Sequence, residues 1–196
     1  MSDKKRKKQN EIIEGSAEAK KEINWTRELL EWLATIVVAI GIALIINNIF
    51  VVNAIIPTGS METTIMTGDR VFGNRLAYKN SSPVRGDIVI FKYPDDESQL
   101  FIKRVIGLPG DTVEIYDGLV YINGSDTPLS EPYINQSEEP VGDFGPYEVP
   151  SGHYFLMGDN RNHSMDARYW ANTYVAEDKI LGKAFVRYWP HPMRIQ

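Results

Sequence analysis

The sequence predicts a mostly β protein, with a single N-terminal transmembrane helix followed by one antiparallel or mixed β-domain of many short strands. Three observations carry this prediction: one uncharged apolar run near the N-terminus, short alternating apolar segments after it, and turn residues between those segments. We divide the 196 residues into a disordered basic tail (1–24), a membrane helix (25–50) and a β-domain (51–196) that is long enough to bury one core.

The apolar run at residues 33–50 contains no charged residue. At about 1.5 Å per residue it spans most of a hydrocarbon core of about 30 Å, and Trp25 and Trp32 lie where interfacial aromatic residues are common. A cleavable secretory signal and a buried core helix are alternatives. The run is long for a signal and begins far from the N-terminus, and helices that are apolar all round are uncommon in small soluble domains. We therefore expect a single-pass protein of the cell membrane.

Charge and cysteine content narrow the class of protein. Lysine or arginine fills every position from 4 to 8, which by the positive-inside rule places the tail in the cytoplasm and the β-domain outside. The same cluster favours contact with anionic lipid in the bilayer. A net charge of −5 with 24% charged residues gives no sign of nucleic-acid binding, and the absence of cysteine excludes disulfides, thiolate catalysis and thiolate metal sites.

Apolar and polar residues alternate beyond the span, as they do in half-buried strands. Asp117-Gly118 is a hairpin signal between two such runs, and Asn123-Gly124 marks the next turn. Residues 125–150 are rich in proline, glycine, serine and acids, so we expect a long surface excursion with short strands at most, and residues 177–181 suit a short turn or helix. The predicted strands cover residues 51–56, 70–78, 87–93, 100–106, 112–116, 119–122, 153–157 and 183–189.

Ser60 is the first candidate for chemistry, since it lies in Pro-Thr-Gly-Ser-Met directly after the apolar run. Proline fixes φ and glycine permits close approach, so residues 57–61 suit a shaped loop that presents the hydroxyl. An ordinary turn after an anchor is the alternative. A serine hydroxyl is a weak nucleophile and needs a base within reach.

Histidine is one possible base. His163 lies among polar loop residues, and a triad with Asp159 or Asp166 is conceivable, although no Gly-x-Ser-x-Gly elbow supports it. His191 lies between two prolines and His153 begins a predicted strand, so neither is well placed as a base.

Lysine is the other possible base. The alternation places Lys103 on the same strand face as Phe101 and Val105. If the amine is buried without a carboxylate partner, desolvation lowers its pKa and makes the neutral form available. An unperturbed lysine is neutral only about one part in a thousand near pH 7.4, a handicap of roughly 4 kcal/mol. The alternative is a lysine that extends along the strand and leaves its amine in water.

Five stretches, in this order, resemble the motif boxes of the bacterial type I signal peptidases: PTGSMETTI at 57–65, GDRV at 68–71, RGDIV at 85–89, KRVIGLPGD at 103–111 and GDNRNHSMDAR at 158–168. The resemblance runs from the span to about Trp189, leaving out the tail and the excursion. It implies a membrane-bound serine endopeptidase, with a Ser-Lys dyad, that cleaves signal peptides from exported preproteins after small-x-small sites such as Ala-x-Ala.

The resemblance also implies roles for individual residues. Ser60 matches the nucleophile of the family and Lys103 its general base. Ser164 matches the serine that hydrogen-bonds and orients the lysine amine, and Asp166 with Arg168 matches a structural ion pair beneath the site.

The oxyanion hole is where this sequence departs from the family pattern. Thr58 stands where the family usually has a serine whose hydroxyl acts with the backbone N–H of Ser60, and a threonine hydroxyl can serve. Thr63 replaces the usual proline, Ile65 a leucine and Ala167 a serine. Thr63 is the departure that most affects the expected rigidity of the loop.

The expected substrate pocket is shallow and apolar, admits alanine and is lined by Ile56, Met61, Ile65 and Ile102. We expect secretory preproteins and the lipid bilayer as partners, no nucleic acid, and no metal or cofactor. A catalytically inactive, membrane-anchored peptide-binding domain of the same fold is the alternative function, but its mark, an empty nucleophile or base position, is missing. A Ser-Lys self-cleaving regulator would carry a DNA-binding helix pair in place of the span.

Overall fold

The computed structural model describes residues 24–135 and 137–195. The tail prediction for residues 1–24 lies, except for Asn24, outside the described residues. Helix α1 spans Trp25–Ile49, and Asn24 caps its start by accepting a hydrogen bond from the Arg27 N–H. The helix is long and apolar enough to cross a membrane, and none of its residues is buried.

Eleven strands follow in the described part of the chain, and every pairing between them is antiparallel. Their bounds are β1 Val51–Ile55, β2 Arg70–Asn74, β3 Ile88–Tyr93, β4 Asp96–Gly107, β5 Thr112–Tyr116, β6 Leu119–Ile122, β7 Phe144–Glu148, β8 His153–Met157, β9 Val175–Ala176, β10 Ile180–Trp189 and β11 Met193–Arg194. The predicted fold class, one apolar helix followed by many short strands, is confirmed.

The strands form two sheets. The larger sheet has the order β1-β2-β10-β3-β4-β8-β9, with β11 added beside β10, and the smaller sheet has the order β6-β5-β7. The β5–β6 hairpin turns through Asp117 and Gly118, whose φ angles of 50° and 75° lie in the left-handed region that an Asp-Gly turn supplies.

Several strands differ from their predicted bounds. β2 ends at Asn74, where the Asn74 side chain accepts the Leu76 N–H and a turn begins, so the predicted extension to residue 78 does not form. β4 begins earlier than predicted because Leu100 pairs with Lys92 and Asp96 with Tyr93 of β3, with a register shift between the two pairs. The excursion contains β7, and residues 177–179 form a 3-10 turn.

Two apolar cores lie on opposite faces of the larger sheet. Val89 and Phe91 of β3 pack in the core that the smaller sheet also lines, whereas Ile88 and Ile90 pack in a second core with residues of β1, β2 and β10. Because successive side chains of a strand point to opposite faces, β3 contributes to both cores. The second core lies beneath the loop that carries Ser60.

Candidate active site

The serine loop (residues 56–69) connects β1 to β2 and carries Ser60. Backbone hydrogen bonds close its ends: the Ile56 N–H donates to Asp69 O over 2.9 Å and the Gly68 N–H donates to Ile56 O over 2.8 Å. Met61 and Ile65 are fully buried in the second core, which fixes the loop from below. Ser60 itself is 7% exposed, so the loop presents a held, nearly buried hydroxyl.

Lys103 comes to Ser60 from β4. Its side chain is buried, lies 5.9 Å from the Phe101 ring as the strand alternation predicted, and donates a hydrogen bond from Nζ to Ser60 Oγ. Among the described residues no carboxylate oxygen lies within 4.0 Å of the amine. The amine is therefore buried without a carboxylate partner. The alternative, a side chain that extends along the strand and leaves its amine in water, is not what the structure shows.

Burial lowers the pKa of Lys103 from 10.5 to about 8, against the opposing effect of the Asp166 and Asp159 carboxylates. At pH 7.4 a lysine with this pKa is neutral about one time in five, compared with about one in a thousand for an unperturbed lysine. The free-energy cost of deprotonating Lys103 at pH 7.4 therefore falls from roughly 4 to about 1 kcal/mol. Lys103 can thus accept a proton from Ser60 near neutral pH.

The support loop (residues 158–168) lies beside the serine loop. Its Asn160 N–H donates to Ser60 O over 3.1 Å, and the Asn160 side-chain amide donates to Gly59 O over 3.0 Å. Thr64 of the serine loop donates its hydroxyl to the Asp159 carboxylate over 2.5 Å. Three hydrogen bonds therefore fix the position of the Ser60 backbone relative to the support loop.

Gly158 allows this close approach. A Cβ at this position would lie 2.3 Å from Ser164 Oγ and 2.4 Å from Ser60 O, distances that no side chain tolerates. Ser164 is buried beside Gly158, and its hydroxyl has no hydrogen-bond partner among the residues that the structure describes. The expected hydrogen bond from Ser164 to Lys103 is thus not formed in this structure, although the hydroxyl lies close to the Ser60 backbone.

Asp166 and Arg168 form the ion pair that the resemblance implied. The Arg168 Nε donates to one carboxylate oxygen over 2.8 Å and Nη2 to the other over 2.9 Å, with both side chains buried. Asp166 also accepts the Gly158 N–H over 3.0 Å. The pair therefore braces the support loop where Gly158 meets Ser60.

A second buried ion pair, between Arg104 and Asp159, was missed at the sequence level. Arg104 donates from Nε and Nη2 to the two oxygens of Asp159 over 2.8 and 2.7 Å, and donates to Gly86 O over 2.7 Å. The sequence signal that could have pointed to this pair is a second cation, next to Lys103, in an apolar strand. Because successive side chains of a strand point to opposite faces, Arg104 lies on the face of β4 opposite Lys103. Its partner lies 55 residues away, which no local pattern reveals.

Thr58 lies at the exposed side of Ser60. Its hydroxyl oxygen is 3.5 Å from Ser60 Oγ, and the Ser60 N–H donates to no acceptor among the described residues. One hydroxyl and one free amide N–H therefore lie beside the serine hydroxyl, which is the composition of an oxyanion hole.

The alternative histidine triad is not assembled in the described residues. His163 Nε2 lies 3.0 Å from the Glu138 carboxylate, while Asp159 is engaged by Arg104 and Asp166 by Arg168. Ser60 Oγ is hydrogen-bonded by Lys103 and not by His163, and neither aspartate pairs with His163, so the expected Ser-His-Asp geometry is not present.

A cavity of about 290 Å³ opens beside Ser60 and Lys103. Ile56 and Ile102 line it as expected. Met61 and Ile65, which were also expected there, are not among its lining residues; their side chains pack in the second core beneath the serine loop. The remaining lining residues are Ala54, Ile55, Pro57, Thr58, Ile90, Gln99, Leu100, Phe101, His163 and Met165.

The sequence profile of the family described as "Signal peptidase, peptidase S26" matches residues 29–189. The chain belongs to this family. "Probable signal peptidase I-2" of Synechocystis sp. is 41% identical over 168 residues, covering 83% of this chain and 74% of that protein. "Signal peptidase I T" of Bacillus subtilis is 37% identical over 173 residues, covering 84% and 88%. A crystal structure of a signal peptidase I from Enterococcus faecalis V583 is 37% identical and covers 53% of this chain and 97% of that chain, with a TM-score of 0.44.

Membership in the signal peptidase family makes the chain a serine peptidase and thus a hydrolase. The match includes most of α1, all strands from β1 to β10, the serine loop and the support loop. The bacterial type I signal peptidase resemblance drawn from the motif boxes is confirmed at this level.

Proposed function

We propose that this signal peptidase is a membrane-bound serine endopeptidase that removes signal peptides from exported preproteins, with Ser60 as nucleophile and Lys103 as general base. The observation that carries the proposal is the hydrogen bond from the buried, carboxylate-free Lys103 amine to Ser60 Oγ. Burial supplies the lowered lysine pKa that a base needs near neutral pH.

The chemical steps follow from these two groups. Neutral Lys103 takes the Ser60 proton while Oγ forms a bond to the scissile carbonyl carbon. The tetrahedral intermediate then breaks its C–N bond, and the Lys103 ammonium donates its proton to the leaving amine. Water then attacks the acyl-enzyme carbonyl and gives its proton to Lys103. The bond from Ser60 Oγ to the carbonyl carbon breaks and the Lys103 ammonium returns the proton to Oγ, which restores the free serine and releases the signal peptide with a new carboxyl end.

Thr58 and the Ser60 N–H form the proposed oxyanion hole. The free Ser60 amide and the Thr58 hydroxyl lie beside the nucleophile and are the two donors available to a carbonyl oxygen as negative charge develops on it. Threonine carries the same hydroxyl as serine, and its extra methyl restricts the χ1 rotamer.

Ser164, Asp166 and Arg168 support the dyad. The unpartnered Ser164 hydroxyl is available to bind the Lys103 amine when the proton moves, and the Asp166–Arg168 pair holds the support loop that carries Ser164. These residues position the catalytic groups and do not exchange protons with substrate.

The substrate is an extended peptide with small residues at the cleavage site. The cavity has apolar walls at Ile56 and Ile102 close to the nucleophile, which suits alanine in a small-x-small pattern. β1 pairs only with β2 among the described strands, so the free edge of β1 beside the cavity offers backbone groups to an extended chain.

The proposed location is the cell membrane, with one span and the β-domain outside. α1 has the length and apolar character of a span, and the basic cluster at residues 4–8 precedes it. Signal peptides are cut at this same membrane boundary, which brings substrate and enzyme into one compartment.

The test is cleavage of a preprotein with an Ala-x-Ala site by the full chain in lipid vesicles. We expect wild-type cleavage, a loss of at least about 10³-fold in Ser60→Ala and Lys103→Ala, and activity within a few fold of wild type in His163→Ala. Retained activity in Lys103→Ala would contradict the assignment of the base. An inactive wild-type protein that still binds the peptide would favour a peptide-binding domain.

A further inference from the structure

The excursion at residues 125–150 forms a buried ion pair with the support loop. Glu131 receives two hydrogen bonds from the Arg161 guanidinium, from Nη1 over 2.9 Å and from Nη2. The Arg161 and Glu131 side chains are only 1% and 7% exposed. Because a buried guanidinium is costly without a counter-charge, Glu131 is the residue that allows Arg161 to be buried there.

Arg161 uses its remaining groups to hold the support loop. Its Nε donates to Gly158 O over 3.1 Å, and its own carbonyl accepts the Arg168 Nη2 over 2.6 Å. Gly158 is the residue that packs against Ser60 O, and Arg168 is paired with Asp166. The Glu131–Arg161 pair therefore connects to both ends of the segment that contacts the nucleophile.

The same excursion also reaches the second buried cation of the site. The Tyr133 hydroxyl donates to Glu131 over 2.6 Å, and the Tyr133 ring lies 3.7 Å from the Arg104 guanidinium carbon. Arg104 in turn holds Asp159 at the start of the support loop. Residues 131–133 thus contact both arginines that fix the support loop.

We propose that Glu131 is a positioning residue for the reaction. Its ion pair with Arg161 holds the support loop against Ser60, so that the Ser60 hydroxyl stays within hydrogen-bond reach of the Lys103 amine. This role rests on the proposed function. It assigns the excursion a part in catalysis, although none of its residues touches the reacting atoms. A displacement of about 1 Å in such a support is enough to cost about 100-fold in rate.

The experiment uses the full chain in lipid vesicles and separates kcat from KM. In Glu131→Ala we expect kcat to fall about 100-fold with KM within about twofold of wild type, because the cavity walls at Ile56 and Ile102 stay in place while the alignment of Ser60 with Lys103 is lost. Glu131→Gln, which keeps the shape and one acceptor, is expected to lose about tenfold. Hydrogen exchange of the Asn160 amide, which donates to Ser60 O, should become faster in both variants.

A second variant separates positioning from mere stability. Glu131→Leu combined with Arg161→Leu removes both buried charges, so we expect its Tm to recover towards wild type while kcat remains about 100-fold low, since Gly158 O has lost its donor. The matched control is Asp111→Ala, which breaks the half-buried Arg85–Asp111 pair of 2.9 Å away from the support loop. The control should lower Tm and leave kcat unchanged.

The proposal is overturned if kcat recovers together with Tm in the double leucine variant, or if Glu131→Ala keeps wild-type kcat and Asn160 protection. These outcomes differ from a failure of the proposed function. In that case wild-type protein does not cleave the preprotein, while the Asn160 exchange still reports whether Glu131 holds the support loop.

Discussion

Lys103 and Arg104 are neighbours on β4 and both are 3% exposed, but their charged groups have different contacts. Arg104 meets both oxygens of Asp159, the Gly86 carbonyl and the Tyr133 ring. Lys103 meets the Ser60 hydroxyl, without a carboxylate in ion-pair range among the described residues. Arg104 is buried with a full set of partners and holds the support loop, whereas Lys103 is buried without a counter-charge, which lowers its pKa and suits it to the proposed role of base.

The nearby carboxylates contribute to this difference. Asp166 and Asp159 both act to raise the pKa of Lys103, yet each is bound to an arginine, and Arg168 acts to lower that pKa. The ion pairs therefore hold the support loop and also limit the negative charge that Lys103 experiences. Burial remains the largest influence on the lysine.

The largest expected effect comes from Lys103→Met, which removes the proposed base and also a buried amine. We expect kcat/KM to fall by about 10³-fold or more. The free energy of unfolding at pH 7 should rise by about 3 kcal/mol, because the folded protein no longer contains a buried lysine whose protonated form is disfavoured. Preprotein cleavage and urea unfolding of the full chain measure the two quantities, and a destabilised Lys103→Met would contradict the comparison.

The sign of the pH dependence gives a control for this variant. Well below pH 8 the lysine is protonated in both the folded and the unfolded state, and its burial penalty is fully present. Between pH 8 and about 10.5 the folded protein releases the proton before the unfolded chain does, so stability rises with pH. That rise should be present in wild type and reduced in Lys103→Met.

Arg104→Met is expected to act in the opposite direction on stability. It leaves the Asp159 carboxylate buried without its cation, and breaking such a pair costs about 3–5 kcal/mol. Urea unfolding measures the loss. Adding Asp159→Leu to Arg104→Met should recover part of it, and an Arg104→Met protein as stable as wild type would show that the two cations of β4 are not treated differently.

A smaller effect is expected from Asp166→Asn on the pH profile of activity. The substitution removes a charge that raises the pKa of Lys103 and leaves Arg168, which lowers it, without its partner. The rise of kcat/KM with pH should therefore move to lower pH, so that the ratio of activity at pH 6.5 to that at pH 9 increases severalfold. A rise at higher pH than in wild type would contradict this account.

The sequence predicted those features that depend on local pattern. The alternation around Phe101 and Val105 assigned Lys103 to the correct face, and Asp117-Gly118 marked the β5–β6 turn. β7 was hard to predict because it contains Gly145 and Pro146, residues that usually interrupt strands. It forms because it lies at the edge of the smaller sheet, where proline is tolerated.

The supports of the site could not be predicted from local pattern. Arg104 finds Asp159 over 55 residues and Arg161 finds Glu131 over 30, and tertiary packing decides both choices. The pocket expectation failed for Met61 in the same way, since periodicity shows that a side chain is apolar but not whether a cavity or a core receives it. The residues of the proposed dyad were therefore visible in the local sequence pattern, whereas the residues that hold them in place were not.

The most direct test of the central claim is the titration of Lys103 itself in the full wild-type chain. Nuclear magnetic resonance of ¹⁵N-labelled lysine side chains, with Lys103→Met to assign the signal, gives the midpoint. We expect a midpoint at about pH 8 that coincides with the rise in kcat/KM. A midpoint near the ordinary lysine value of about 10.5 would show that burial does not make Lys103 the base.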